Sequence, residues 1–150
     1  MEGYVDFCVI DTIRKYSAES ATMLDALQRI VTKNGAQCPK RNDIVHFDFH
    51  TTNILSEGDR ITGVVDWEGS ESGDCAFDLV TLLFYTWPIA DFREALWCAL
   101  LERTTRGAVA VYLAHMIVRQ IDWTMRHHSD AMVDHYMRIS HDILLKIDTL

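Results

Sequence analysis

The hydrophobic positions of the N-terminal part of the chain follow helical spacing. Apolar residues recur every three to four positions over residues 4–16 and again over residues 17–33, which predicts two amphipathic helices. Ser17 or Ser20 can cap the second helix at its start, and Asn34-Gly35 supplies a stop at its end. The chain is therefore predicted to begin with a pair of helices.

The pattern changes after a polar stretch at residues 36–43, which we predict to be a loop. Residues 44–47 are short and β-branched, and two further runs at 53–56 and 60–67 are typical of strands. Gly58-Asp59 lies between these two runs and tolerates the geometry of a hairpin turn. The pattern thus predicts a small antiparallel insert after the first two helices.

The predicted hairpin brings two polar residues to the same end. A turn centred on Gly58-Asp59 places Asn53 opposite Val64, and Asp66 then lies two residues further along the strand. Two residues of a strand span roughly 7 Å. We therefore expect the side chains of Asn53 and Asp66 to lie close to one another.

Helical spacing returns in the second half of the chain. Residues 68–73 have the composition of a loop, Asp74 can begin a helix, and Pro88 interrupts that helix. The later apolar positions predict three more helices, at about residues 89–103, 108–126 and 129–147. The predicted fold class is mainly α with a small antiparallel β insert (α+β), in a single domain over residues 1–150.

Composition narrows the function classes. The 150 residues are 49% apolar and 24% charged, as in ordinary globular proteins, and the net charge of −8 argues against nucleic acid as a partner. Cys8, Cys38, Cys75 and Cys98 form no Cys-x-x-Cys pair, so they indicate reduced thiols. No signal peptide or apolar run of membrane-spanning length is visible, and we expect a cytoplasmic protein without a membrane partner.

The central segment concentrates groups that can hold a metal or accept a proton. Mg²⁺ prefers hard oxygen ligands, so Asn53 and Asp66 at one end of a hairpin would form half of a magnesium site. Asp48 lies on the same loop, five residues before Asn53, where a base would accept the proton of an attacking hydroxyl. This order and spacing match the catalytic loop of phosphotransferases and its metal-binding Asp.

Three linked motifs give the segment a family resemblance. They are His46-Phe-Asp-Phe-His-Thr-Thr-Asn53, Val65-Asp-Trp-Glu68 and Gly73-Asp-Cys-Ala-Phe-Asp-Leu79. In these motifs the chain resembles the aminoglycoside phosphotransferase and choline kinase-like family, whose patterns are His-Gly-Asp-Leu-His-Pro-Gly-Asn, Ile-Asp-Trp/Phe-Glu and Gly-Asp-Pro-Ala-x-Asp-Leu. The resemblance implies the C-terminal lobe of a protein-kinase-like fold.

The resemblance also implies roles for individual residues. Asp48 would be the catalytic base, Asn53 and Asp66 the Mg²⁺ ligands of an ATP (or GTP) site, and His46 a second member of the catalytic loop. Three further residues would support the loop and the adjoining helix: His50, Asp74 and Asp78. The resemblance implies a small-molecule acceptor of the aminoglycoside class, and therefore a role in antibiotic resistance. The acidic charge of the chain suits a cationic acceptor.

Some features depart from the family pattern. Phe47 replaces a Gly and Thr51-Thr52 replace Pro-Gly, so we expect the loop to pack differently and the base to be slightly displaced. Cys75 replaces a Pro, which we expect to have no effect. Residues 1–43 contain no Gly-x-Gly-x-x-Gly and are predicted to be helical, so the N-terminal lobe that covers the nucleotide is missing from the pattern. We therefore divide the chain into leading helices (1–43), the catalytic loop with its hairpin (44–67) and a helical subdomain (68–150).

Two alternative functions remain open at this point. A lobe without its nucleotide-covering partner is expected to be incomplete for catalysis, so the chain could act as an inactive kinase-like module. Such a module would bind ligands or form homo-oligomers through the surface that the missing lobe leaves exposed. Alternatively, His46, Asp48 and His50 could bind zinc or iron in a metal-dependent hydrolase.

Overall fold

The computed structural model describes residues 10–149, so Cys8 and the first part of the helix predicted at residues 4–16 lie outside the described part of the chain. Two helices come first, α1 (Ile10–Tyr16) and α2 (Ala18–Asn34). The Ser17 hydroxyl accepts a hydrogen bond from the Ser20 backbone N–H, and the Ser20 side chain in turn accepts one from the Ser17 N–H. This reciprocal capping sets the start of α2 at the predicted position.

Two separate two-stranded antiparallel sheets follow α2. They consist of β1 (Asp43–Val45), β2 (Ile54–Glu57), β3 (Arg60–Val64) and β4 (Glu71–Gly73). β2 pairs with β3 in the predicted hairpin, and β1 pairs with β4. The prediction that residues 68–73 are only a loop was therefore wrong, because residues 71–73 supply the partner that the short strand β1 needs for its backbone groups.

The register of the hairpin differs by one residue from the predicted register. Ser56 pairs with Ile61, but Leu55 pairs with Gly63, so Thr62 is an extra residue that forms a bulge in β3. As a result Ile54, and not Asn53, lies opposite Val64. The Val65 N–H donates to the Asn53 carbonyl at 3.0 Å, so the bulge brings Asp66 one residue nearer to Asn53 than expected.

Four helices complete the chain. They are α3 (Ala76–Tyr85), α4 (Ala90–Arg103), α5 (Arg106–His127) and α6 (Asp130–Ile147). Pro88 lies in the turn between α3 and α4, as its lack of a backbone donor requires. None of the helices described over residues 10–149 has the length and hydropathy needed to cross a membrane.

Helix α5 is the centre of the core. It packs against α1, α2, α3, α4 and α6. Its inner face consists of Val109, Leu113, Met116, Ile117 and Ile121, each fully buried. Burial of side chains of this size contributes roughly 1.5–3 kcal/mol each, so α5 is the element whose position the core fixes most firmly.

Candidate active site

The loop that follows β1 is held by one carboxylate on α3. Asp78 accepts hydrogen bonds from the backbone N–H groups of His46 and Phe47, at 2.9 and 3.0 Å, one on each carboxylate oxygen. A carboxylate that accepts two backbone hydrogen bonds is a strong anchor, since charge-assisted bonds are about twice as strong as neutral ones. The Asp78 carboxylate thus holds the start of the loop, and support of the loop is the role that the family resemblance implies for this residue.

His46 connects the loop to the end of the hairpin. Its ring is fully buried, and Nε2 lies 2.8 Å from the Val65 carbonyl, which can only accept, so Nε2 carries the proton. Nδ1 accepts a hydrogen bond from the Asp48 N–H at 3.3 Å. Both ring nitrogens are thus engaged, and His46 fixes the loop against the residue that precedes Asp66 rather than facing a substrate.

Phe47 adopts a backbone conformation that is unusual for its residue type. Its φ of 67° lies in the left-handed region, where a non-glycine residue costs roughly 1–2 kcal/mol. The ring lies 4.9 Å from that of Phe77 and borders a cavity of about 290 Å³, so its packing is incomplete. The conformation at this position therefore needs support beyond the side-chain contacts of Phe47 itself.

The Asp48 carboxylate is held from two sides. Oδ1 lies 3.2 Å from Nη2 of Arg119, and Oδ2 lies 3.2 Å from Nε2 of His50. His50 is itself positioned by Thr52, whose hydroxyl is 2.8 Å from Nδ1, and its ring packs edge-on against Tyr85. About a third of the Asp48 side chain remains exposed, so a hydroxyl group can reach the carboxylate.

Tyr85 closes this part of the site from α3. Its hydroxyl donates to Oε1 of Gln120 at 2.6 Å, and burial together with the nearby Asp48 carboxylate raises the pKa of Tyr85 well above its usual range. Tyr85 is therefore neutral at physiological pH. Its ring provides a fixed wall beside His50.

Asn53 is buried and its amide orientation is determined. Nδ2 donates to the Asp48 carbonyl at 2.9 Å, so the amide nitrogen faces the loop and Oδ1 remains available as a ligand. Asp66, next to the Val65 that pairs with Asn53, is exposed and has a left-handed backbone with φ 67°, which Asp tolerates better than most residues. Among the described residues its carboxylate makes no hydrogen bond or ion pair.

Asp74 lies just before α3 and lines the same cavity as Phe47. Its carboxylate is buried and accepts hydrogen bonds from the Ala76 N–H at 3.1 Å and the Tyr112 hydroxyl at 3.0 Å. Burial and this hydrogen bond raise the pKa of Tyr112, which keeps it a donor. Asp74 therefore caps α3 and ties it to α5.

Arg119 is a site residue that the sequence did not reveal. It lies on α5, and its guanidinium contacts both the Phe47 carbonyl and the Asp48 carboxylate. The available signal was an Arg inside a helix with an otherwise apolar face, but helical spacing alone could not show which loop this side chain meets. Burial, together with the charge of the same guanidinium, lowers the pKa of His115, one turn away on α5.

The alternative metal site is not supported by this geometry. Both nitrogens of His46 are bonded within the protein, and His50 uses its two nitrogens on Asp48 and Thr52. A zinc or iron ligand must offer a free lone pair on imidazole nitrogen. This geometry therefore gives no support to a hydrolase with a metal on His46, Asp48 and His50.

Solved structures similar to this chain define its fold. A thermostable mutant of aminoglycoside phosphotransferase APH(4)-Ia in complex with AMP-PNP and hygromycin B superposes with a TM-score of 0.72, over 92% of this chain and 47% of that chain, at 17% identity. The apo form gives 0.71, over 91% of this chain and 47% of that chain, at 18% identity. The fold is that of an aminoglycoside kinase, and the predicted fold class is confirmed.

The family follows from the sequence comparison. Residues 12–112, more than half of the chain, match the model of the phosphotransferase enzyme family (APH), and the chain belongs to this family. Hygromycin-B 4-O-kinase from Escherichia coli is 31% identical over 87 residues, which are 58% of this chain and 23% of that protein. The resemblance seen in the three motifs is thereby confirmed, although the chain spans less than half the length of these relatives.

Proposed function

We propose that these residues form the C-terminal lobe of an ATP- and Mg²⁺-dependent aminoglycoside phosphotransferase of the cytoplasm. Family membership supports a kinase-like phosphotransferase, and the ligands in the complex of the solved structure, AMP-PNP and hygromycin B, support the nucleotide and the acceptor class. Transfer of a phosphoryl group to an aminoglycoside hydroxyl would make the protein an antibiotic-resistance enzyme. A second lobe, in the same or another polypeptide, would cover the nucleotide.

The observation that carries this proposal is the state of the Asp48 carboxylate. Arg119 and His50 hold the carboxylate, while part of it stays open to solvent. The backbone carbonyl of Asp48 accepts a hydrogen bond from the amide of Asn53. A base in phosphoryl transfer must orient the acceptor hydroxyl and take its proton as the bond to phosphorus forms. In this role Asp48 receives the proton, and Arg119 and His50 keep its oxygens in place.

The residues beside Asp48 fit a magnesium ion. The donor set is one amide oxygen on Asn53, left free because Nδ2 is committed to the loop, and one exposed carboxylate on Asp66. Hard oxygen donors of this number, with waters and phosphates completing the shell, are what Mg²⁺ prefers in nucleotide sites. Bound there, Mg²⁺ would neutralise charge on the phosphate oxygens, while the protein fixes the two ligands through the hairpin and the loop.

The hairpin also offers a surface for the nucleotide. Leu55 and Val65 are exposed and lie on one face of the hairpin, since Leu55 pairs with Gly63 and alternate residues of a strand point the same way. Cδ1 of Leu55 lies over Gly63, 3.7 Å from where a Cβ of residue 63 would be. An apolar platform beside the metal ligands suits the flat face of a purine.

Binding of Mg²⁺-ATP tests the metal ligands directly. We expect Asp66→Ala and Asn53→Ala to weaken binding of Mg²⁺-ATP by about tenfold or more, because each removes an oxygen ligand. Titration calorimetry should be done with the chain alone and with the nucleotide-covering lobe of the Escherichia coli hygromycin-B kinase added. Asp59→Ala, in the exposed hairpin turn, is the matched control and should bind as the unmodified chain does.

The test is informative only if the control substitution Asp59→Ala leaves the affinity for Mg²⁺-ATP unchanged. If Asp66→Ala and Asp59→Ala bind Mg²⁺-ATP with the same affinity as the unmodified chain under both conditions, the assignment of the metal ligands is rejected.

A second candidate function is self-association through the hairpin. Exposed apolar side chains lie on both faces of the hairpin: Ile61, which is 65% exposed, shares a face with Ser56, whereas Leu55 and Val65 lie on the other face. Exposed apolar surface of this kind marks an interaction site. We expect the chain alone to form dimers at micromolar concentration and Ile61→Lys to shift it to monomer. Sedimentation equilibrium checks this, and a monomer at every concentration of the unmodified chain would contradict it.

A further inference from the structure

Arg119 contacts two consecutive residues of the catalytic loop. One nitrogen of its guanidinium donates to the Phe47 carbonyl, and another lies 3.2 Å from Oδ1 of Asp48. The planar fork of an arginine can serve two acceptors at once, which a lysine ammonium on its flexible stem does less well. The contact therefore fixes both the backbone before Asp48 and the carboxylate itself.

The backbone at this position is the part of the loop that most needs support. Phe47 has a φ of 67°, a conformation that glycine adopts freely and a phenylalanine does not. Its N–H is bonded to Asp78, but its carbonyl depends on Arg119. The ring borders a cavity, so packing of the side chain does not enforce the conformation.

Arg119 is a firm support because it lies on a helix that is packed into the core. The residue lies between Ile117 and Ile121, both fully buried, on the helix that forms the centre of the core. The adjacent Gln120 is also buried and is hydrogen-bonded to Tyr85. The guanidinium is thus attached to an element that cannot shift without disturbing the core.

We propose that Arg119 is the positioning residue of Asp48: it holds the left-handed peptide at Phe47 and thereby compensates for the absence of a glycine there. The proposal rests on the proposed function only in that Asp48 is taken as the base. Arg119 itself is assigned no contact with the acceptor or the phosphate. It acts through the loop, and its loss should misplace Asp48 without removing it.

Rescue by glycine distinguishes this role from a general contribution to stability. We compare Arg119→Met, Arg119→Lys, Phe47→Gly and the double variant Arg119→Met with Phe47→Gly. Arg138→Met, an exposed arginine on α6, is the matched control. Because glycine adopts positive φ without strain, the double variant should regain the loop geometry that Arg119→Met loses.

Two readouts are needed. The first is the intraresidue amide-to-Hα nuclear Overhauser effect of residue 47, which is strong only at positive φ. We expect it in the unmodified chain and in Arg138→Met, but not in Arg119→Met, and weakened in Arg119→Lys. The second is phosphoryl transfer to hygromycin B with the nucleotide-covering lobe added. Arg119→Met should lower kcat by about 10- to 100-fold, with the KM for ATP changed by less than about twofold.

The outcomes separate the two proposals. Recovery of at least about tenfold in kcat by the double variant supports the positioning role, since a carboxylate contact alone would not be restored by glycine. A positive-φ signal that persists in Arg119→Met overturns it. If neither the unmodified chain nor any variant transfers phosphate, the proposed function fails. The nuclear Overhauser signal of residue 47 then still decides the role of Arg119. Urea unfolding of Arg119→Met and Arg119→Lys verifies that each variant is folded.

Discussion

Asp48→Asn is expected to lower phosphoryl transfer from ATP to hygromycin B by about 10²–10⁴-fold, the usual contribution of a general base. Asparagine has nearly the same shape and can still accept a hydrogen bond from Arg119 or His50, but its amide cannot take the proton of the acceptor hydroxyl. The assay follows phosphorylated hygromycin B by mass spectrometry, with the nucleotide-covering lobe of the Escherichia coli hygromycin-B kinase added to the chain.

Binding must be measured beside turnover. Since Asp48 is not assigned as a metal ligand, Asp48→Asn should bind Mg²⁺-ATP as the unmodified chain does, whereas Asp66→Ala should bind it more weakly. Asp59→Asn, the same substitution in the exposed turn between β2 and β3, should leave both quantities unchanged. Full activity of Asp48→Asn in an assay where the unmodified chain is active would remove Asp48 from the role of base.

Asp78→Asn is expected to lower the free energy of unfolding by about 2–4 kcal/mol. The carboxylate accepts hydrogen bonds from the N–H groups of His46 and Phe47, whereas an asparagine offers one oxygen and turns an N–H₂ group toward the other donor. The loop then loses one bond and gains a donor–donor contact beside the fully buried His46. Urea unfolding, followed by circular dichroism, measures the change.

An exposed aspartate on another helix provides the control for Asp78. Asp142 lies on the outer face of α6, and Asp142→Asn should change the free energy of unfolding by less than about 0.5 kcal/mol. If Asp78→Asn is no more destabilising than Asp142→Asn, the two hydrogen bonds do not anchor the loop in solution.

Much of the helical body could be predicted because local signals determine it. The cap at Ser17, the break at Pro88 and the apolar spacing after it give α2 and the last three helices within two residues of their observed bounds. These signals act over one or two turns of chain. The motif spacing likewise placed the loop residues on one segment, because residues a few positions apart on a short loop also lie near one another in space.

Features that depend on distant parts of the chain could not be predicted. β4 forms because β1 lacks a partner, and its own composition is that of a loop. The bulge at Thr62, which moves Asn53 out of register with Val64, is indicated in the sequence only by Gly63 within the strand pattern, and a single glycine does not determine the register. Arg119 reaches Asp48 across 71 positions of sequence, and only the packing of α5 determines where it points.

The central position of α5 links the core of this protein to its chemistry. Ile117 and Ile121 are core residues, yet they are each two positions from the arginine that holds Asp48. A substitution that lets the helix settle by about 1 Å would move the guanidinium with it, and displacements of that size can cost about 100-fold in rate. Engineering for heat resistance would therefore have to treat the interior of α5 as part of the catalytic apparatus, and repacking there should be screened by turnover as well as by melting temperature.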